Sequence, residues 1–105
     1  MERISRLPMS RQEILTKLQR EVPIIREQFG VAKVGLFGSY ARDEAGPMSD
    51  IDLLVSFEEG KERFRPFMQC IFYLERIFEK KVELITENSL DSRIRPDVES
   101  EVIWV

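Results

Sequence analysis

Apolar positions along the chain change their period several times, and each change marks an element. After Ser10-Arg11-Gln12-Glu13, which has the spacing of a capping box, Ile14, Leu15, Leu18, Val22, Ile25 and Phe29 recur at helical intervals until Gly30 ends the run. Pro23 inside that stretch predicts a kink or two short helices. Val31 to Phe37 is β-rich, short and bounded by Gly30 and Gly38, which predicts a strand. Ser39 to Glu44 is long enough for one or two helical turns before Gly46-Pro47 breaks it. Ile51 to Phe57 predicts a second strand, followed by the polar connection Glu58-Glu59-Gly60-Lys61. Between Phe64 and Lys80 the residues Phe64, Phe67, Met68, Ile71, Phe72, Leu74, Ile77 and Phe78 form an apolar face wide enough for a well-buried helix. Lys81 to Thr86 predicts a third strand. Beyond it Asn88 or Ser89 can cap a short helix that Pro96 ends or restarts, and Val102 to Val105 reads as an edge strand. The succession predicts an α/β (α+β) layer fold, a small mixed β-sheet with helices packed on it, built as one domain over residues 1–105.

Composition narrows the chemistry. Of 105 residues 43% are apolar and 33% charged, a globular balance. The net charge of -3 argues against a chain that grips a nucleic-acid backbone or an anionic membrane unaided. With no histidine, imidazole bases, His-dependent triads and His-ligated zinc are excluded, and the work falls to carboxylates, hydroxyls, cations or a hard metal ion. Cys70 has no second cysteine to pair with and falls in an apolar helical pattern, so it reads as a buried thiol. The absence of a signal peptide and of a membrane-length apolar run predicts a cytoplasmic protein.

The candidate chemistry lies in the stretch from Gly35 to Phe57. Side chains two apart on a strand share a face, so Asp50, Asp52 and Leu54 point one way, while Ile51, Leu53, Val55 and Phe57 point to the core. Paired carboxylates at the start of a strand repel unless a cation lies between them, and Mg²⁺ suits such a site because it is usually held by one or two carboxylates together with substrate phosphates. Gly38 ends the first strand and allows close approach of backbone to a ligand. Ser39 opens a helical turn whose N–H groups favour an anion, and its hydroxyl can add a donor. Metal-bound triphosphate is the simplest ligand that uses both halves. Glu83, between Val82 and Leu84, is the candidate third carboxylate, placed to bind the metal that carries an incoming nucleophile and to take its proton.

Each feature alone has a plainer explanation. Asp50 could close the loop after Ser49, Asp52 could face solvent, Gly38-Ser39 could be an ordinary turn, and Glu83 could pair with Lys81 or Arg42. Arg42, one turn after Ser39, could touch phosphates or could brace the turn through an ion pair with Asp50 or Glu44. The joint spacing is far more specific than its parts.

Leu36-Phe37-Gly38-Ser39-Tyr40-Ala41-Arg42, ten residues between Ser39 and Asp50, and Ser49-Asp50-Ile51-Asp52-Leu53-Leu54-Val55 together resemble the signature of the minimal nucleotidyltransferases of the DNA polymerase β-like superfamily. The resemblance extends over most of the chain and implies a nucleotidyltransferase fold. It implies that Gly38, Ser39 and Arg42 meet the nucleotide and that Asp50, Asp52 and Glu83 are catalytic and bind Mg²⁺. Many members of the family are antitoxins paired with a HEPN ribonuclease toxin, to which they transfer AMP from ATP at a tyrosine. Carried to this chain, the resemblance implies a protein adenylyltransferase with ATP as substrate and a HEPN-type toxin as acceptor. The family often has Gly after the Ala-Arg pair, where this chain has Asp43, and often Asp as the third carboxylate, where this chain has Glu83, about 1.5 Å longer in reach. The short chain leaves little room for an acceptor site of its own, which favours a partner protein as acceptor over synthesis of a polymer. The second hypothesis is a non-catalytic nucleotide-binding module that neutralises its partner by occlusion, and a third is a purely structural subunit.

Overall fold

The computed structural model describes residues 9–105. The first helix, α1 (Arg11–Phe29), opens on the expected capping box, with Ser10 accepting from the Glu13 N–H and Glu13 returning to the Ser10 N–H. It closes on Gly30, which stands in the left-handed region at φ 77°. Contrary to the expected kink or break, α1 is a single helix through Pro23. Pro23 is on the exposed side, so the carbonyl it leaves unpaired faces water, while Ile14, Leu18 and Ile25 hold the other side to the core.

Three strands follow as expected, β1 (Val31–Phe37), β2 (Ile51–Phe57) and β3 (Val82–Thr86), with a short β4 (Ile103–Trp104) at the end. The sheet runs β3-β2-β1-β4. Pairing is antiparallel for β1 with both β2 and β4, and parallel for β2 with β3, so the sheet is mixed. The parallel pair requires a crossover, which α3 (Phe64–Phe78) supplies. Gly35 leaves room for β4: a side chain there would stand 2.6 Å from Val102 and 2.9 Å from the Trp104 ring.

One face of the sheet carries α1 and α3 over the main core, where Ile51, Leu53 and Val55 are fully buried beside Leu36, Cys70 and Leu74. Burial raises the Cys70 thiol to about 12, in keeping with an inert core residue. On α3 the expected continuous apolar face is narrower: Cys70, Leu74 and Phe78 are buried, whereas Phe64 and Phe72 are 79% and 61% exposed. The sheet and α1 offer only one surface to cover, and residues beyond that stripe are left to solvent.

The opposite face is covered as well, by the segment after β3. A 3-10 turn (Glu87–Ser89) leads to α4 (Arg95–Glu101), and Leu90 and Val98 close over Phe37 and Leu54. Asn88 and Ser89 therefore lie in the 3-10 turn and cap no helix, and Pro96 belongs to the first turn of α4, where a missing N–H costs nothing.

Candidate functional site

The site is assembled where β1 ends, β2 begins and β3 runs alongside. The turn after β1, α2 (Gly38–Ala41), is a single helical turn rather than two, closing with the Arg42 N–H on the Gly38 carbonyl. Tyr40 anchors it in the core at 1% exposure, and Arg11 of α1 donates to the Ala41 carbonyl at 3.0 Å. Asp43 then turns the chain at φ 62°, in the left-handed region. A position that commonly holds glycine in the resembled family is thus one that demands a positive φ, and Asp is among the residues that tolerate it.

The loop before β2 is closed by Ser49, whose hydroxyl accepts from the Gly46 N–H at 2.9 Å while its own N–H reaches the Gly46 carbonyl. Asp50 is spared that duty and is half-buried at the mouth of β2. The start of β2 is pinned to β3 by the Ile51 N–H on the Lys81 carbonyl at 3.0 Å.

The parallel register sets Asp52 beside Glu83. Their carboxyls are in hydrogen-bond contact, and the Asp52 carboxyl is raised to about 7, first by burial, then by the Glu83 contact and the charges of Glu83 and Asp50, with Arg42 opposing. Glu83 itself is exposed on the outer strand of the sheet. The plainer alternative, a pairing of Glu83 with Lys81 or Arg42, gives way to this contact with Asp52 across the parallel strand pair.

A Cβ at Gly38 would overlap the Asp52 carboxylate, standing 2.9 Å from its Cγ. Glycine is thus required at this position, with φ 79°, to let the turn lie against Asp52, in addition to any ligand that approaches it. The Gly38 N–H donates to Glu101 Oε2 at 2.7 Å, and Arg42 Nη1 reaches both Glu101 oxygens at 3.1 and 3.2 Å while its Nε reaches Glu44 at 3.0 Å. Of the two ion pairs expected for Arg42, Glu44 forms. Asp50 makes no ion pair with Arg42, and Glu101, at the end of α4, takes its place. The sequence carries a faint signal for Glu101: an acid in the last turn of a helix runs against the helix dipole.

The structure therefore brings Asp52 against both Gly38 and Glu83, with Asp50 and Arg42 acting on Asp52 through charge and Arg42 tied to the turn through Glu101. Among the described residues no three carboxylate or thiol side chains converge tightly enough to hold a metal by themselves. The fit to Mg²⁺ rests instead on Asp52 with an acid on either side: Glu83 in contact with it and Asp50 near enough to act through charge raise its carboxyl to about 7, and a dication together with phosphate oxygens would relieve that crowding. A cavity of about 410 Å³ beside Phe64, Phe67, Leu84, Ile85 and Thr86 is lined by none of Gly38, Ser39, Arg42, Asp50, Asp52 and Glu83. No helix of the described residues is long and apolar enough to cross a membrane.

The nucleotidyltransferase domain family matches residues 13–105. The protein adenylyltransferase MntA of Thermococcus cleftensis is 42% identical over 94 residues, 90% of this chain and 91% of that protein. A solved structure assigned to the minimal nucleotidyltransferases superposes with a TM-score of 0.77 at 32% identity, covering 90% of this chain and 95% of the other. The fold is shared also with the structure of a tri-AMPylated HEPN toxin of Shewanella oneidensis in complex with its MNT antitoxin, at a TM-score of 0.56 and 18% identity over 90% of this chain and 66% of the other.

Proposed function

Because the chain belongs to the nucleotidyltransferase domain family, we propose that it is a protein adenylyltransferase that moves AMP from ATP to a hydroxyl, a tyrosine hydroxyl first of all, on a HEPN-type toxin. The support is the 42% identical adenylyltransferase and, for the class of partner, the AMPylated toxin bound to a protein of the same fold. In the reaction the acceptor oxygen bonds to the α-phosphorus, the bond from that phosphorus to the bridging oxygen breaks, and pyrophosphate leaves with the electron pair. The acceptor proton passes to Glu83.

Each residue has a distinct task in this reading. Asp52 and Glu83, with Asp50 at the strand mouth, would hold Mg²⁺. When bound, the ion supplies charge neutralisation on the phosphates and polarises the α-phosphoryl group. The Gly38 N–H, the Ser39 hydroxyl and the Arg42 guanidinium orient the leaving phosphates. Glu83, exposed on the outer strand, lies where a hydroxyl from a separate protein can reach it. The observation that carries the proposal is the contact of the Asp52 and Glu83 carboxyls, with Asp52 lying directly against Gly38, which joins a cation site to an anion turn within one strand end.

The test is incubation of the chain and its HEPN partner with ATP and Mg²⁺, followed by intact-mass and peptide mass spectrometry of the partner. One or more added AMP groups on a tyrosine are expected. A partner that is silenced yet unmodified would replace this reading with occlusion.

A further inference from the structure

Glu101 closes α4 with no basic residue in the last turn to offset it, an unfavourable place for a carboxylate unless donors hold it there. The donors that do so are the Gly38 N–H at 2.7 Å and Arg42 Nη1 at 3.1 and 3.2 Å. These are the backbone group and the cation that the proposed function gives to the triphosphate. Arg42 is already shared with Glu44, so one guanidinium faces two carboxylates. A phosphate arriving at the turn meets donors that an anion of the chain has filled.

The shape of the contact distinguishes two roles. A residue that merely steadied Arg42 would touch the guanidinium from behind and leave the turn open. Glu101 Oε2 instead bridges Gly38 N and Arg42 Nη1, spanning the turn as a phosphate oxygen would. Its backbone is held independently, by the Val102 N–H on the Val98 carbonyl at 2.9 Å and by β4, where Ile103 and Trp104 pair with Leu36 and Gly35. The carboxylate can therefore leave by rotation of its own side chain while α4 stays in place.

We propose that Glu101 is an internal competitor of the triphosphate. In the nucleotide-free chain its carboxylate occupies the Gly38 N–H and Arg42, the triphosphate displaces it, and Glu101 thereby sets the affinity for nucleotide. This rests on the nucleotide-binding reading above.

The experiment is calorimetric titration of the wild-type chain, Glu101→Gln and Glu101→Asp with ATP, with inorganic tripolyphosphate and with adenosine, each with Mg²⁺ present. Removal of the charged competitor should tighten ATP binding by about tenfold, the order expected for one hydrogen bond to a charged group. Tripolyphosphate should gain with ATP, and adenosine should not change, because the competition is for phosphate oxygens. Glu101→Asp keeps charge and helix but shortens the reach by one bond, so it should gain affinity too, and it guards against a Gln variant that folds poorly. Unchanged or weaker ATP binding in both variants, with wild-type melting temperatures and a wild-type chain that binds ATP, overturns the competitor and leaves the nucleotide site standing. Absence of ATP binding in every protein, wild type included, overturns the nucleotide reading and this inference with it.

Discussion

The carboxylate pair of β2 and β3 and the turn of α2 meet where Asp52 lies against Gly38, yet their charges are balanced in opposite ways. At Asp52 and Glu83 two acids meet at a partly buried point, and a proton on Asp52 relieves them. At the turn the donors Gly38 N–H and Arg42 are matched by Glu101, an acid of the chain itself. The first half has a strong electrostatic reason to take up a cation. The second has no vacancy, and an anion gains there only the difference between its own contacts and those of Glu101. Binding of a metal–nucleotide complex should therefore draw most of its free energy from the carboxylate half and much of its selectivity from the turn.

The most damaging way to separate the halves is Gly38→Ala. A left-handed φ and an overlap with Asp52 together should cost about 2–4 kcal/mol in denaturant unfolding, and ATP binding should be lost with the displaced carboxylate. A loss below about 1 kcal/mol would mean that Asp52 swings clear and that the halves are not interlocked.

Next in size is Glu83→Gln, which alters the carboxylate half alone. The transfer rate should fall by at least ~10²-fold, the usual loss for a general base, with ATP affinity nearly kept through Asp50, Asp52 and the turn. Single-turnover transfer to the partner and ATP calorimetry give the two readouts. A variant that modifies its partner at the wild-type rate would remove Glu83 from the reaction.

How far such residues could be read in advance differs between the two faces of the sheet. The face under α1 and α3 was plain, because Ile14, Leu18 and Ile25 on one helix and Cys70, Leu74 and Phe78 on another repeat often enough to show a period. The motif residues Gly38, Ser39, Asp50 and Asp52 were plain as well, since their spacing spans only two strands and a loop. The face under α4 was not. Only Val98 is buried in that helix, too little for a period, so Leu54 reads only as sharing the face of Asp50 and Asp52, although it is fully covered. Glu101 was hidden for the same reason, its partner Gly38 lying 63 residues away. Pro23 misled in the other direction, since a breaker on the water side of a long helix need not break it.

A smaller effect probes the proton on Asp52. The folded chain keeps it up to about pH 7, whereas the unfolded carboxyl releases it near its ordinary value of 3.8, so the folded state binds more protons across that window. Stability of the metal-free chain must then fall as pH rises from about 4 to about 7. Melting temperatures in EDTA should be lower at about pH 8, above the window, than at about pH 5, inside it. Asp52→Asn should flatten the dependence, and Mg²⁺ with ATP should restore stability at the higher pH. A melting temperature that rises over the same range would mean that Asp52 is not the group that resists ionisation.

The smallest expected change is at the exit of the turn. Asp43 holds φ 62° with an exposed side chain, so Asp43→Gly removes the backbone cost of a left-handed residue and adds the entropy of a glycine to the unfolded chain. These terms oppose each other and are of similar size, about 1 kcal/mol each, so stability should shift by less than about 1 kcal/mol, upward if the strain is the larger. Asp43 lies one residue beyond Arg42, its N–H on the Tyr40 carbonyl, and it is not among the contacts that join Gly38, Asp52 and Glu101. ATP affinity and transfer rate should then match the wild type. A several-fold change in ATP affinity with unchanged stability would show instead that the Asp43 carboxylate adds to the anionic environment of Arg42, and the turn would carry a third internal acid beside Glu44 and Glu101.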